Sequence, residues 1–265
     1  MAARRTLSQN GFVLRSREEI MRRVELGRET VDEVHPRPHR STMLGELEWV
    51  AEPVRRPFRR IKIRPAKQPR LIMLLPGFAT HPVRMRYLAR NLERAGHTVK
   101  RWGAGFNFGP TPEKLALIEA RLLELHQRHG QKVVLVGWSL VGLFARELAW
   151  LHPDAVDRVI TMGSPFSGSM RANNVWRIYQ VIAGHSVDRP PVKVHTEGKP
   201  PVETIALWSR RDGIISVASA AGKPDERDRA IEMKCTHLGF TYAPEVMVTL
   251  LNLIDEDAGE SSCLA

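Results

Sequence analysis

Two cysteines in 265 residues, Cys235 and Cys263, lie far apart and leave no disulfide framework to build. Such sparing use fits a reducing compartment, so a cytoplasmic location is expected. Long apolar runs are missing as well: nothing approaches the roughly 20 residues of a membrane-spanning helix. Near the start, Gly11-Phe12-Val13-Leu14 is too short for the apolar centre of a secretory leader, and charges follow at once. Glu18 and Glu19 come too early for an acid-poor transit peptide. No His-x-x-x-His falls on a helical stretch and no cysteines pair at ligand spacing, so neither a metal nor another cofactor is expected. The glycines of Gly103 to Gly109 are spaced G-x-G-x-x-x-G and run into Pro110, which excludes the pyrophosphate-on-helix geometry of a dinucleotide site.

What is present describes an ordinary folded protein: 43% hydrophobic and 26% charged residues, in a chain long enough for one large domain. The net charge of +11 is crowded toward the start, where residues 1–70 hold 17 Lys and Arg against 9 Asp and Glu. Val54 to Arg70 contains eight basic residues and no acidic one. A stretch of this kind suits anionic lipid head groups, so peripheral contact with an anionic membrane is one expectation; a solvated segment that aids solubility is the plainer one. Nucleic acid is not expected, because no zinc-ligand spacing or aromatic-studded RNA-binding signature accompanies the charge.

Residues 1–69 read as a basic extension and linker. Ser16 to Val34 suggests a charged helix, broken at His35-Pro36-Arg37-Pro38-His39. Met43 to Val50 suggests a second, with Leu44, Leu47 and Val50 on one face, and Pro53, Pro57, Pro65 and Pro69 mark an extended linker. The folded domain is expected over 70–256, followed by a polar tail over 257–265. Within the domain, strands at 71–75, 97–102, 132–138, 156–162, 202–208 and 231–235 alternate with helical patterns from Pro82, Pro112, Leu140 and Tyr242. That alternation predicts an α/β fold, with a mostly parallel central sheet, helices on both faces and a site at the C-terminal ends of the strands. Residues 169–200, with one helix over 172–183 and a proline-rich return, form a short lid.

The run Lys132 to Trp138 ends in Gly137-Trp138-Ser139, and an apolar helix follows almost without a loop. Strand, sharp turn and helix place a lone serine at a helix N-terminus, as in a nucleophile elbow, usually Gly-x-Ser-x-Gly. Gly-x-Ser alone arises about once in a chain of this length. Gly184-His185-Ser186 is such a chance match, with no strand before it.

A serine nucleophile needs a base and a group to orient the base, in the chain order Ser, acid, His. Downstream of Ser139 and its helix lie His185, His195 and His237, and only His237 directly follows a strand. Asp212 follows the 202–208 strand, with Asp188 in reserve. Backbone N–H groups of Phe78 and Leu140 are the expected oxyanion donors, and Phe78, Trp138, Phe106 and Phe108 the expected substrate-binding aromatics.

Together these stretches resemble the α/β-hydrolase superfamily, closest to bacterial esterase- and lipase-like serine hydrolases. The resemblance is carried by Leu74-Leu75-Pro76-Gly77-Phe78, Trp102 to Pro110, Gly137-Trp138-Ser139-Leu140, Ser209 to Gly213 and Thr236-His237-Leu238-Gly239. It implies cleavage of a small-molecule or lipid ester through an acyl-enzyme intermediate. An acyltransferase using the same triad, or a non-catalytic binding protein at an anionic membrane, would share the pattern. The sequence departs from it at Val141, where relatives carry the second elbow glycine. A branched side chain there is expected to crowd the turn, at about 1–3 kcal/mol, and to weaken activity.

Overall fold

The computed structural model describes residues 17–30, 35–55, 61–195 and 198–256. The middle of the basic stretch (56–60), residues 196–197 of the lid's return and the polar tail (257–265) lie outside the described residues, as do 1–16 and 31–34. Six strands form one sheet: β1 (Leu71–Leu75), β2 (Thr98–Arg101), β3 (Val133–Trp138), β4 (Val156–Met162), β5 (Glu203–Ser209) and β6 (Arg229–Met233). Their order is β2-β1-β3-β4-β5-β6, and every pair is parallel. The helices among the described residues are α1 (Arg17–Arg28), α2 (Arg40–Gly45), α3 (Glu52–Arg55), α4 (Arg86–Arg94), α5 (Pro112–His129), α6 (Gly142–Leu151), α7 (Trp176–Ala183), α8 (Val217–Ala221) and α9 (Pro244–Asp255). None is long and apolar enough to cross a membrane.

All of β1 and β3 is buried, as unbroken apolar runs demand when helices cover both faces of a parallel sheet. Successive side chains point to opposite faces, so each strand feeds two cores. Ile72, Leu74, Val134 and Val136 pack with Leu88 and Leu92 of α4 and Val246 and Leu250 of α9. Leu71, Met73, Val133 and Leu135 pack with Ile118 and Leu122 of α5 and Phe144 and Leu148 of α6. Each such side chain contributes about 1.5–3 kcal/mol by leaving water.

Several boundaries differ from the sequence reading. The lid helix α7 starts at Trp176 rather than Ala172, because the asparagines before it are engaged in the loop. Asn173 Oδ1 accepts from Val175 N–H at 2.9 Å, and Asn174 Nδ2 donates to the carbonyls of Pro38 and Gly213. Strand β6 ends at Met233, since Lys234 N–H is taken by Glu245 instead of the sheet. Pro53 lies in the first turn of α3, where a missing N–H costs nothing, and not in an extended linker. In the 43–54 segment the apolar stripe faces outward: Leu44, Leu47, Val50 and Val54 are exposed, whereas Glu46 and Glu52 are buried.

Strand order reverses at β1, which has β2 on one side and β3 on the other. In open parallel sheets the crevice at such a switch point, beyond the carboxyl ends of the strands, is where ligands bind. Here it lies between Phe78, after β1, and Ser139, after β3.

Candidate active site

Ser139 leaves β3 with φ +59, a left-handed backbone that costs a non-glycine residue of order 1–3 kcal/mol. One 3-10 turn (Ser139–Val141) then leads into α6. The sharp turn forces α6 against the sheet. A Cβ on Gly137 would lie 2.6 Å from Gly142 Cα, and one on Gly142 would lie 2.0 Å from Ser164 Oγ and 2.6 Å from Ser164 Cβ. The close approach therefore falls on Gly142, one residue later than the usual motif. Val141 does not occupy that contact. Its side chain is fully buried in the core with Phe144, Leu148 and the strands beneath.

Ser139 Oγ is 3.0 Å from His237 Nε2, and His237 Nδ1 is 2.7 Å from Asp212 Oδ2. The other Asp212 oxygen accepts from the N–H groups of Ile214 and Ile215, both at 2.8 Å, which fixes the carboxylate. The tautomer with Nδ1–H donating to Asp212 would leave the Nε2 lone pair facing Ser139 Oγ. Asp212 and His237 are both 2% exposed. Burial works to lower the His237 pKa, but the Asp212 carboxylate, through charge and hydrogen bond, and the Glu46 carboxylate outweigh it, leaving His237 above its ordinary value. Trp138 Nε1 donates to the His237 carbonyl at 3.1 Å, and Ser209 Oγ donates to the Cys235 carbonyl at 2.5 Å, tying the histidine loop to β3 and β5.

The loop after β1 is held by Asn107, which is fully buried. Its side chain donates to the Pro76 carbonyl at 3.2 Å, and its backbone exchanges hydrogen bonds with Ala79 and Thr80. Gly77 lets this loop close on the elbow, since a Cβ there would be 3.2 Å from Ser139 Cβ. Phe78 and Leu140 then share the wall of an apolar cavity beside Ser139, with Met170, Val175 and Tyr179 from the 169–200 segment. A second space of about 170 Å³ shares Ser139 and Tyr179 with it and is bounded further by Trp138, Ile178, Ile182 and His237.

Phe106 and Phe108 are not brought to this cavity. They stack on each other at 4.4 Å and are 40% and 38% exposed. The cavity takes Tyr179 instead, whose ring is 4.9 Å from that of Phe78. The other histidines are engaged elsewhere: His185 with Tyr179 Oη at 3.3 Å, and His195 with Glu147 at 3.0 Å. Asp188, the reserve acid, accepts from Arg171. Among the described residues, no group of three His, Cys, Asp or Glu is placed to hold a metal.

Three contributors were not legible beforehand. Gly163, after β4, has φ +54, and a Cβ there would sit 2.9 Å from Asp212 Oδ2 and 3.0 Å from His237 Nδ1. Helix α1 lies along α7: Arg23 donates to the carbonyls of Val181 and Ile182, and Gln180 donates to the Leu26 carbonyl and to Glu29. Glu46 reaches both the acid loop and the histidine loop. Only Gly163 carried any signal, as a glycine ending a strand.

No protein-family model matches the chain, and no curated protein matches it by sequence. Solved structures do match by shape. Bacillus licheniformis lipase BlEst2 in its mature form superposes over 75% of this chain and 96% of its own, at TM-score 0.53 and 14% identity. The 2-hydroxy-6-oxo-6-phenylhexa-2,4-dienoate hydrolase of Rhodococcus sp. strain RHA1 covers 69% and 89%, at TM-score 0.50 and 18% identity. The pyrethroid hydrolase PytH covers 71% and 98%, at TM-score 0.50 and 15% identity. The chain has the α/β-hydrolase fold. Within an α/β-hydrolase sheet, Ser139 after β3, Asp212 after β5 and His237 after β6 all stand at the strands' carboxyl edge.

Proposed function

We propose that the protein is a serine hydrolase of carboxylic esters that works through an acyl-enzyme intermediate. The observation that carries this reading is the relay Ser139 Oγ–His237 Nε2 at 3.0 Å and His237 Nδ1–Asp212 Oδ2 at 2.7 Å, on a serine held at φ +59. Ser139 Oγ attacks the ester carbonyl while His237 takes its proton, and Asp212 orients and stabilises the imidazolium. Charge on the carbonyl oxygen is met by the N–H groups of Phe78 and Leu140. His237 returns the proton to the leaving alcohol, then activates water for deacylation. The cavity's apolar wall suits an apolar acyl or alcohol group.

The test is an alkyl fluorophosphonate. Hydrolysis of a model ester is expected to stop as one equivalent is incorporated, with the adduct on the peptide containing Ser139. Turnover that survives labelling, or an adduct elsewhere, overturns the assignment. The pH profile gives a second check. His237 must be neutral to accept the serine proton, and its pKa is raised, so kcat/KM falls as pH drops through a value above the ordinary histidine pKa of about 6.5. An acid limb centred well below that value contradicts the reading.

Peripheral contact with an anionic membrane is the proposed setting. Leu44, Leu47, Val50 and Val54 form an outward apolar stripe, 60–70% exposed, immediately before the eight basic residues that end at Arg70. Apolar insertion and basic attraction would act together at the membrane. Vesicles of phosphatidylserine and phosphatidylcholine are expected to pull the protein down at low salt and release it at high salt. Equal binding to pure phosphatidylcholine, or none at low salt, refutes this.

A further inference from the structure

Asp212 and His237 sit on two separate loops, after β5 and β6, and their hydrogen bond needs those loops in register. A residue far away in sequence joins them. Glu46 follows α2 in the N-terminal extension and is 7% exposed. Its Oε1 accepts from Gly213 N–H at 2.9 Å and from His237 N–H at 2.8 Å, and its Oε2 accepts from Leu238 N–H at 2.9 Å. One carboxylate thus spans the residue after Asp212, His237 itself and the residue after His237.

The backbone around it is shaped for this insertion. A Cβ on Gly213 would lie 2.6 Å from the Thr42 carbonyl oxygen and 2.8 Å from Met43 Cα, so α2 packs directly on the acid loop. Glu48, two residues on, pairs with Arg211 of the same loop at 2.5 Å. A buried carboxylate is costly unless hydrogen-bonded, and here N–H groups of the two catalytic loops supply the bonds.

We infer that Glu46 is a positioning residue of the site, and that the extension carrying it completes the site by holding the Asp212 and His237 loops together. This rests on the Ser139–His237–Asp212 reading of the site. Glu46 touches no substrate, so it acts through Asp212 and His237. Its removal is expected to lower kcat with little change in KM.

Glu46→Ala leaves two buried N–H groups and the half-buried one of Leu238 without their acceptor and frees the two loops. Misplacement of this kind is expected to lower kcat about 10- to 100-fold. Glu46→Gln keeps the shape and one acceptor oxygen, and is expected to retain the fold and most of kcat, with a change in the pH profile. The charged groups facing His237 are Asp212 and Glu46, while Ser139, Trp138 and Phe240 face it as neutral groups. Losing one of two negative charges makes protonated His237 less favourable, so the acid limb of kcat/KM moves to lower pH in Glu46→Gln.

A readout without turnover keeps this separate from the hydrolase assignment. The proton shared by His237 and Asp212 is expected to give a low-field NMR resonance in the wild type, shifted in Glu46→Gln and broadened or lost in Glu46→Ala. An inactive wild type would sink the hydrolase reading while leaving the resonance as the test of Glu46. If Glu46→Ala does not fold, Glu46→Gln decides. An unmoved resonance and acid limb in Glu46→Gln, or a Glu46→Ala protein with wild-type kcat, overturns the inference.

Discussion

Ser139→Ala is expected to lower ester turnover by at least about 10⁴-fold while leaving the fold intact. In the proposed mechanism the serine oxygen is the atom that bonds to substrate, and neither Asp212 nor His237 would replace it. Asp212, His237 and the proposed oxyanion donors all remain in the variant, so a small residual rate above the uncatalysed one should persist. Alanine must still adopt the left-handed backbone seen at φ +59, a strain serine already bears. Thermal unfolding of the variant should therefore stay close to wild type. The measurement is kcat/KM on a chromogenic ester, with circular dichroism as the folding control. A loss smaller than about tenfold in a folded protein would mean that Ser139 is not the nucleophile, since triad serines cost far more.

The second large effect concerns the elbow's packing. Gly142→Ala is expected to destabilise the protein by about 3 kcal/mol or more. The added methyl would lie 2.6 Å from Ser164 Cβ as well as 2.0 Å from its Oγ, so a rotamer change at Ser164 cannot relieve the overlap. Either α6 lifts from the sheet or β4 shifts, and both displace Ser139. A companion Ser164→Gly change removes both overlapping atoms and should restore much of the stability. Val141→Gly should behave oppositely to a repair. It deletes a buried side chain and loosens the backbone, costing about 2–4 kcal/mol, with no gain in kcat. In a protein of this size, each kcal/mol lost lowers Tm by about 2–4 °C. A Gly142→Ala variant matching wild type in Tm and turnover would show that the close approach is not there. A Val141→Gly variant that gains activity would return the doubt to Val141.

Residues close together in sequence announced themselves. The apolar runs at 71–75 and 132–138, the helical periodicity from Pro112 and the turn at Ser139 each depend on neighbours within one element. Their pattern therefore survives in the linear chain. The same holds for the order of Ser139, Asp212 and His237, because a parallel sheet lines up strand ends on one edge. Aromatics were harder to place. Phe106 and Phe108 are two residues apart in a loop whose path is set by Asn107, and that path turns them toward each other and solvent. Tyr179, which faces Phe78, sits on a helix whose start depended on where Asn173 and Asn174 found partners.

By itself, then, the chain determined the parallel α/β layering, and it offered the elbow serine and its candidate partners by residue type and order. Those features are local, or follow from the regularity of strand and helix periods. Only the tertiary structure decided how the close contact at the elbow is made, with Gly142 against Ser164 and Val141 in the core, since helix–strand distance is a property of the packed pair. It also decided that a glutamate 167 residues before Gly213 and 191 before His237 bonds both of their loops. No periodicity connects positions so far apart, and what joins them is the cost of burying a carboxylate without hydrogen bonds.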